Sequence, residues 1–172
     1  MIAVGTIDQR RVQALPNYGL TYRSEVLDQD FTIAGSVEVS LHVQSNCKDT
    51  DFVAKLIELH ADGRTMLLMI GVVRAMYRDP ASGPQHLAPD QIYPLSIHLG
   101  DIHHTFTAGS RLQVDITSSN FPRRVRNTNS DNLILAEDTS ANIHIATNAV
   151  YHNDQQPSFL AFPVVPVSTK LL

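Results

Sequence analysis

The sequence predicts an all-β fold: an antiparallel β-sandwich of the jelly-roll type. Two observations carry this. Apolar and polar residues alternate with period two in four separate stretches, which places one strand face in a core and the other in water. No window of twelve or more residues keeps an apolar 3.6 period, so helical crossovers between parallel strands are not expected.

Taken in chain order, the stretch up to Pro16 reads as an extended lead-in. "VEVSLHVQ", residues 37–44, sets Val37, Val39, Leu41 and Val43 against Glu38, Ser40, His42 and Gln44. "DFVAKLIELH" (51–60) and "MLLMIGVVRAMY" (66–77) are apolar on both faces over part of their length and suit central strands covered on both sides. Gly71 and the β-branched Val72 and Val73 favour strand over helix in the second. Alternation returns at Tyr93, Leu95, Ile97 and Leu99, then at Leu112, Val114 and Ile116. The last case is Ile143, Ile145, Thr147, Ala149 and Tyr151.

Turn signals separate these runs: "ADGR" from Ala61, "DPASGP" from Asp79, "AGS" from Ala108 and "NTNSDN" from Asn127. Residues 79–91, with three prolines and a glycine, form a loop. Eight or so strands follow, many and uneven in length, which is the reason for preferring a jelly roll. The expected organisation is a lead-in over residues 1–18 and one domain over 19–172.

Composition narrows function. At 172 residues the chain buries roughly two-thirds of its unfolded surface in one core. Thirteen Lys and Arg against 17 Asp and Glu leave a net charge of −4, which argues against a general nucleic-acid binder. Cys47 is the sole cysteine, so no internal disulfide forms, and a reducing, cytoplasmic setting is expected. Neither a signal peptide nor an apolar stretch of membrane-spanning length is read from the sequence.

No G-x-S-x-G nucleophile turn occurs. Ser118 and Ser119 with His144 or His152 lack an orienting acid at a recognisable spacing. His98, His103 and His104 fit solvated strand positions better than a zinc site, which needs three or four converging ligands. Asp49, Asp51 and Asp62 are a weak calcium signal, since Asp62-Gly63 more simply makes a hairpin turn. No cofactor or metal is therefore expected. "SSNFPRRVRNTNS" (118–130) gathers Phe121, Pro122, Arg123, Arg124 and Arg126. It reads either as a solvated loop around a buried Phe121 or as a protein-facing loop, since arginine and aromatics are enriched at interfaces.

Several pieces, in order, resemble one family. They are "GTIDQR" from Gly5, "LTYRSE" from Leu20, "DTDF" from Asp49, and "DGR" from Asp62 with "RAMYR" from Arg74. "GSRL" from Gly109, "SSNFPR" from Ser118 with Asn127 and Asn129, and "YHN" from Tyr151 with "PSF" ending at Phe159 complete the set. Together they look like the C-terminal domain of the CocE/NonD hydrolases, a group spanning cocaine esterase, α-amino-acid ester hydrolases, glutaryl acylases and X-prolyl dipeptidyl aminopeptidases. Gly109-Ser110-Arg111 stands where Gly-His-Arg is usual, and Asn129-Ser130-Asp131 where Asn-Thr-Gly is common.

The resemblance implies a non-catalytic jelly roll of the galactose-binding-domain-like kind, with the catalytic triad in an α/β-hydrolase domain or subunit. No catalytic residue is carried over. The implied role is support of that hydrolase domain, its substrate pocket and contacts between copies, with neither nucleic acid nor membrane as partner. Domain-interface candidates are Asp8, Arg10, Phe121, Arg123, Arg126, Asn127 and Asn129. The competing readings are a free-standing carbohydrate- or small-ligand-binding sandwich and a hydrolase with an unrecognised serine–histidine pair.

Overall fold

The computed structural model describes residues 7–166; the first residues of "GTIDQR" and the rest of the lead-in's start lie outside the described residues. The described chain is β1 (Ile7–Asp8), α1 (Arg10–Gln13), β2 (Leu20–Arg23), β3 (Phe31–Ser45), β4 (Asp51–Leu59), β5 (Thr65–Arg74), β6 (Tyr93–Phe106), β7 (Arg111–Thr117), β8 (Asn148–Tyr151) and β9 (Phe159–Ala161). Two antiparallel sheets pack face to face. The first runs β1-β5-β4-β7-β2, and the second runs β6-β3-β8 with β9 also on β3.

Period two does what it should in β3. Val37, Val39, Leu41 and Val43 are buried in the core with Leu95 and Ile97 of β6 and Phe52, Ala54 and Leu56 of β4. The long β3–β6 ladder absorbs a bulge: Val37 pairs with Gly100 and Glu38 with His98, leaving Leu99 as the extra residue. Such a bulge lets two long strands twist together without turning their apolar faces outward.

β4 is central and covered on both sides, as its two-faced apolar run requires. Its inner residues meet the second sheet. On its other face Val53, Lys55 and Ile57 are also buried, paired in register with Thr117, Asp115 and Gln113 of β7. The segment after β1 closes over that face. Gln13 Nε2 and Tyr18 Oη donate to Asp115 Oδ2 at 2.7 and 2.8 Å, and Lys55 Nζ donates to Tyr18 Oη at 3.1 Å.

Two glycines have a physical reason. Gly63 takes φ +83° in the β4–β5 hairpin, where the Asp62-Gly63 turn was expected. A Cβ on Gly71 would lie 2.6 Å from the His98 carbonyl oxygen, so this glycine lets β5 press against β6.

Two expected strands end short. The run 66–77 leaves the sheet after Arg74 because Asp49 and Thr50 capture the next amides. The Ala75 amide donates to the Thr50 carbonyl, the Met76 amide to Asp49 Oδ1, and Ala75–Tyr77 winds into a 3₁₀ turn. The last alternating run begins only at Asn148; Ile143 and Ile145 precede the strand and are exposed.

Candidate functional site

Thirty residues, 118–147, connect β7 to β8, with only two single 3₁₀ turns between them. Loops this long inside compact domains are uncommon and are usually functional. This one is held by a buried polar network rather than by apolar packing. Asn127, 6% exposed, donates through Nδ2 to Asp49 Oδ2 (3.1 Å) and Asp51 Oδ1 (2.8 Å). Its Oδ1 accepts from the Asn129 amide at 2.8 Å. Asn129, at φ +58°, donates through its side chain to the His144 carbonyl at 2.8 Å. Arg74 grips the Asn132 and Leu133 carbonyl oxygens, and Asp138 accepts from Thr128, Ser130 and Asn132. Hydrogen bonds from those three side chains hold the Asp138 carboxyl below the ordinary carboxylate range.

Beside its arginines, the anchored loop turns large apolar side chains outward. Phe121 is 72% exposed, Val125 76% and Ile145 90%, and Leu133, Ile134 and Ile143 are exposed as well. The reading of Phe121 as a buried packing residue is therefore corrected: β7 ends at Thr117, and the chain beyond it carries the ring into solvent. Val12 and Leu15 join Phe121, Ile143 and Ile145 around a groove of about 510 Å³, with Arg126, Asn127 and Asn129 on its wall. At its floor lie Tyr18 and Lys55. Burial pushes the Lys55 ammonium down, opposed by Asp115; burial and Asp115 hold the Tyr18 phenol above its usual range.

Four of the interface candidates thus meet in one groove: Phe121, Arg126, Asn127 and Asn129. Of these, Asn127 spends its side chain inside the chain. Arg123 is exposed beside the groove without lining it, and Arg123, Arg124 and Arg126 form no ion pair among the described residues. Asp8 and Arg10 lie elsewhere, at the β1 edge. Arg10 pairs with Asp8 at 2.5 Å, and Asp8 Oδ1 also accepts from the amide and hydroxyl of Thr65, fastening β1 to β5. The hydrogen bond from Arg10 holds the Asp8 carboxyl well below the usual range.

Residue-pattern reading missed Val12, Leu15, Val125, Leu133 and Ile134. Their signal was present: large apolar residues in stretches without period. The catalytic candidates do not assemble. Ser118 Oγ accepts from Asn148 Nδ2, and His152 stands edge-on to Tyr22. Asp49 and Asp62 hold Arg74 and Arg64. Among the described residues no three His, Cys, Asp or Glu converge as metal ligands, and no helix is long and apolar enough to cross a membrane.

A family model described as the X-Pro dipeptidyl-peptidase C-terminal non-catalytic domain matches residues 8–161. The chain is 33% identical over 161 residues to cocaine esterase from Rhodococcus sp. (strain MB1 Bresler), covering 94% of this chain and 28% of the relative. A solved α-amino acid ester hydrolase superposes with a TM-score of 0.88 at 30% identity, over 93% of this chain and 27% of that one. A crystal structure of an aminopeptidase from the marine sediment archaeon Thaumarchaeota archaeon gives 0.88 at 25% identity, over 94% and 28%. The chain spans little more than a quarter of each relative's length.

Proposed function

Because the chain belongs to the family of X-Pro dipeptidyl-peptidase C-terminal non-catalytic domains, the C-terminal domain of CocE/NonD hydrolases, we propose that it acts as an accessory domain docked on an α/β-hydrolase catalytic domain or subunit. One observation carries this: the β7–β8 loop is pinned from beneath by Asp49, Asp51 and Arg74, yet it turns Phe121, Val125 and Ile145 to solvent. Chains seldom rigidify a contiguous apolar patch without a partner for it. The exposed Arg123, Arg124 and Arg126 supply a charged rim of the kind interfaces use. In this reading the lead-in, residues 1–18, descends from the hydrolase domain onto the jelly roll of residues 19–172. The docked domain supports the substrate pocket wall, contributes to contacts between copies, and works in a reducing compartment such as the cytoplasm, where Cys47 stays a free thiol.

The test is a chimera in which this chain replaces the matching quarter of the Rhodococcus cocaine esterase. Turnover and a single thermal transition are expected, with both lost on Phe121→Asp plus Ile145→Asp. Wild-type-like turnover in that double variant would refute docking through this face. A fluorophosphonate probe should leave the intact mass of the 172-residue chain unchanged. A stoichiometric adduct would sink the accessory reading.

A further inference from the structure

A second concavity shares no lining residue with the docking groove. β8 pairs with β3 over Ser45–His42 and β9 over Ser40–Glu38, so Leu41 has no neighbour on that edge. Residues 152–158 belong to neither strand: Asn153 and Gln156 close a turn, and Pro157 and Ser158 rejoin β3 at His42. Across the sandwich the facing edge is β2, only four residues long. The core is therefore open along this flank, into a cavity of about 180 Å³.

Val39, Leu41, Val114 and Ile116 form its floor, with Val150 and Leu160 beside them. Tyr22 and the exposed Phe159 stand at the mouth. No charged side chain lines it. Ser158 Oγ is taken, accepting from the His42 amide at 2.9 Å and donating to the Tyr151 carbonyl at 2.5 Å. The Tyr22 hydroxyl makes no hydrogen bond among the described residues, and the His152 ring packs edge-on against the Tyr22 ring, with centroids 6.1 Å apart and planes at 78°.

Volume and lining decide the ligand class. Water needs two to four polar partners to occupy a cavity, and these walls offer one hydroxyl. Drug-sized ligands fill pockets of roughly 300 Å³ or more, whereas apolar cavities of about 150 Å³ take a single benzene-sized ring. We propose that this flank pocket binds a small uncharged aromatic or short-alkyl molecule whose one hydrogen-bonding group meets the Tyr22 hydroxyl.

Titration of the methyl-labelled 172-residue chain with phenol, toluene and benzoate tests this. Saturable shifts are expected at the methyls of Val39, Leu41, Val114, Ile116 and Leu160 with phenol and toluene, and none with benzoate. Tyr22→Phe should weaken phenol about fivefold, the worth of one modest hydrogen bond, and leave toluene unchanged. Val150→Phe fills the cavity and should abolish the shifts; Leu160→Phe serves if that variant does not fold. Shifts that stay linear to the solubility limit would overturn the proposal. So would benzoate binding equal to phenol, an unchanged phenol affinity in Tyr22→Phe, or filled variants that still bind.

Discussion

Arg74 donates through Nε to Asp49 Oδ2 at 2.5 Å, from the end of β5 to a carboxylate that has no exposed surface. Its remaining nitrogens hold the Asn132 and Leu133 carbonyls, so a single guanidinium joins the sheet to the β7–β8 loop. Removing one partner strands the other's charge in the interior. Arg74→Met should cost about 3–5 kcal/mol of folding stability, read from urea denaturation, and Arg74→Lys should recover only part because a single ammonium cannot span three acceptors. A loss under about 1 kcal/mol, the value of an exposed pair, would show the pair to be solvated.

Asn127→Ala separates anchoring from folding. The variant leaves Asp49 and Asp51 each short of a donor and releases the Asn129 amide. A cost of about 1–3 kcal/mol is expected for buried acceptors left unpaired. Hydrogen exchange should accelerate at residues 127–133 before it does so in β3. Uniform acceleration across the molecule would mean that the loop does not open by itself.

How far the sequence spoke for the structure depended on the kind of interaction. Alternation named the inner faces of β3, β6 and β7, because burial of every second side chain is a local, periodic fact. The same rule misread Ile143 and Ile145, since period two is equally satisfied by an extended loop whose apolar residues wait for a partner. The 3₁₀ turn after Arg74 was invisible because its cause, Asp49 and Thr50, lies in the distant connection between β3 and β4. Phe121, Arg126 and Asn129 were singled out through family resemblance and line one groove, whereas Val12 and Leu15 reach the same groove only through folding of the lead-in. The Tyr18–Asp115 bond joins residues 97 apart and left no pattern to read.

Gly71→Ala tests the closeness of the sheets. The new methyl would meet the His98 carbonyl oxygen at 2.6 Å and Ile97 Cγ2 at 2.7 Å, both backed by the β6 strand. Overpacking should cost about 1–3 kcal/mol. Alanine's better strand entropy would instead stabilise the protein by under about 1 kcal/mol if β6 could retreat. The sign of the shift in urea midpoint distinguishes the two.

Glu58 gives the acid limb a specific contributor. Burial pushes its carboxyl up, but hydrogen bonds from the Thr107 amide and from His104 (Nε2 to Oε2, 3.0 Å) outweigh it and leave the group below its ordinary 4.5. A folded pKa beneath the unfolded one means that this stabilisation is complete above pH 4.5 and is lost as pH falls through the lowered value. Urea midpoints measured from about pH 6 to about pH 3 should fall less steeply for Glu58→Gln than for wild type. Parallel curves would rule out Glu58 as a contributor.

Under the docking proposed above, the chain by itself leaves the face of Phe121, Val125 and Ile145 bare, and the simplest cover for it is a second copy. Phe121, Val125 and Ile145 are exposed enough to meet their counterparts across a two-fold axis, since a two-fold contact reuses one patch on both copies. The isolated chain should therefore show a mass in analytical ultracentrifugation that rises with concentration. Phe121→Ser with Ile145→Ser should return it to monomer while moving folding stability by no more than about 0.5 kcal/mol, because neither side chain is packed within the chain. High salt should strengthen self-association, because it screens repulsion among the arginines brought together across the axis. A strict monomer at the highest attainable concentration would mean that the exposed apolar residues do not cohere into one sticky face, and the docking reading would lose its main physical support.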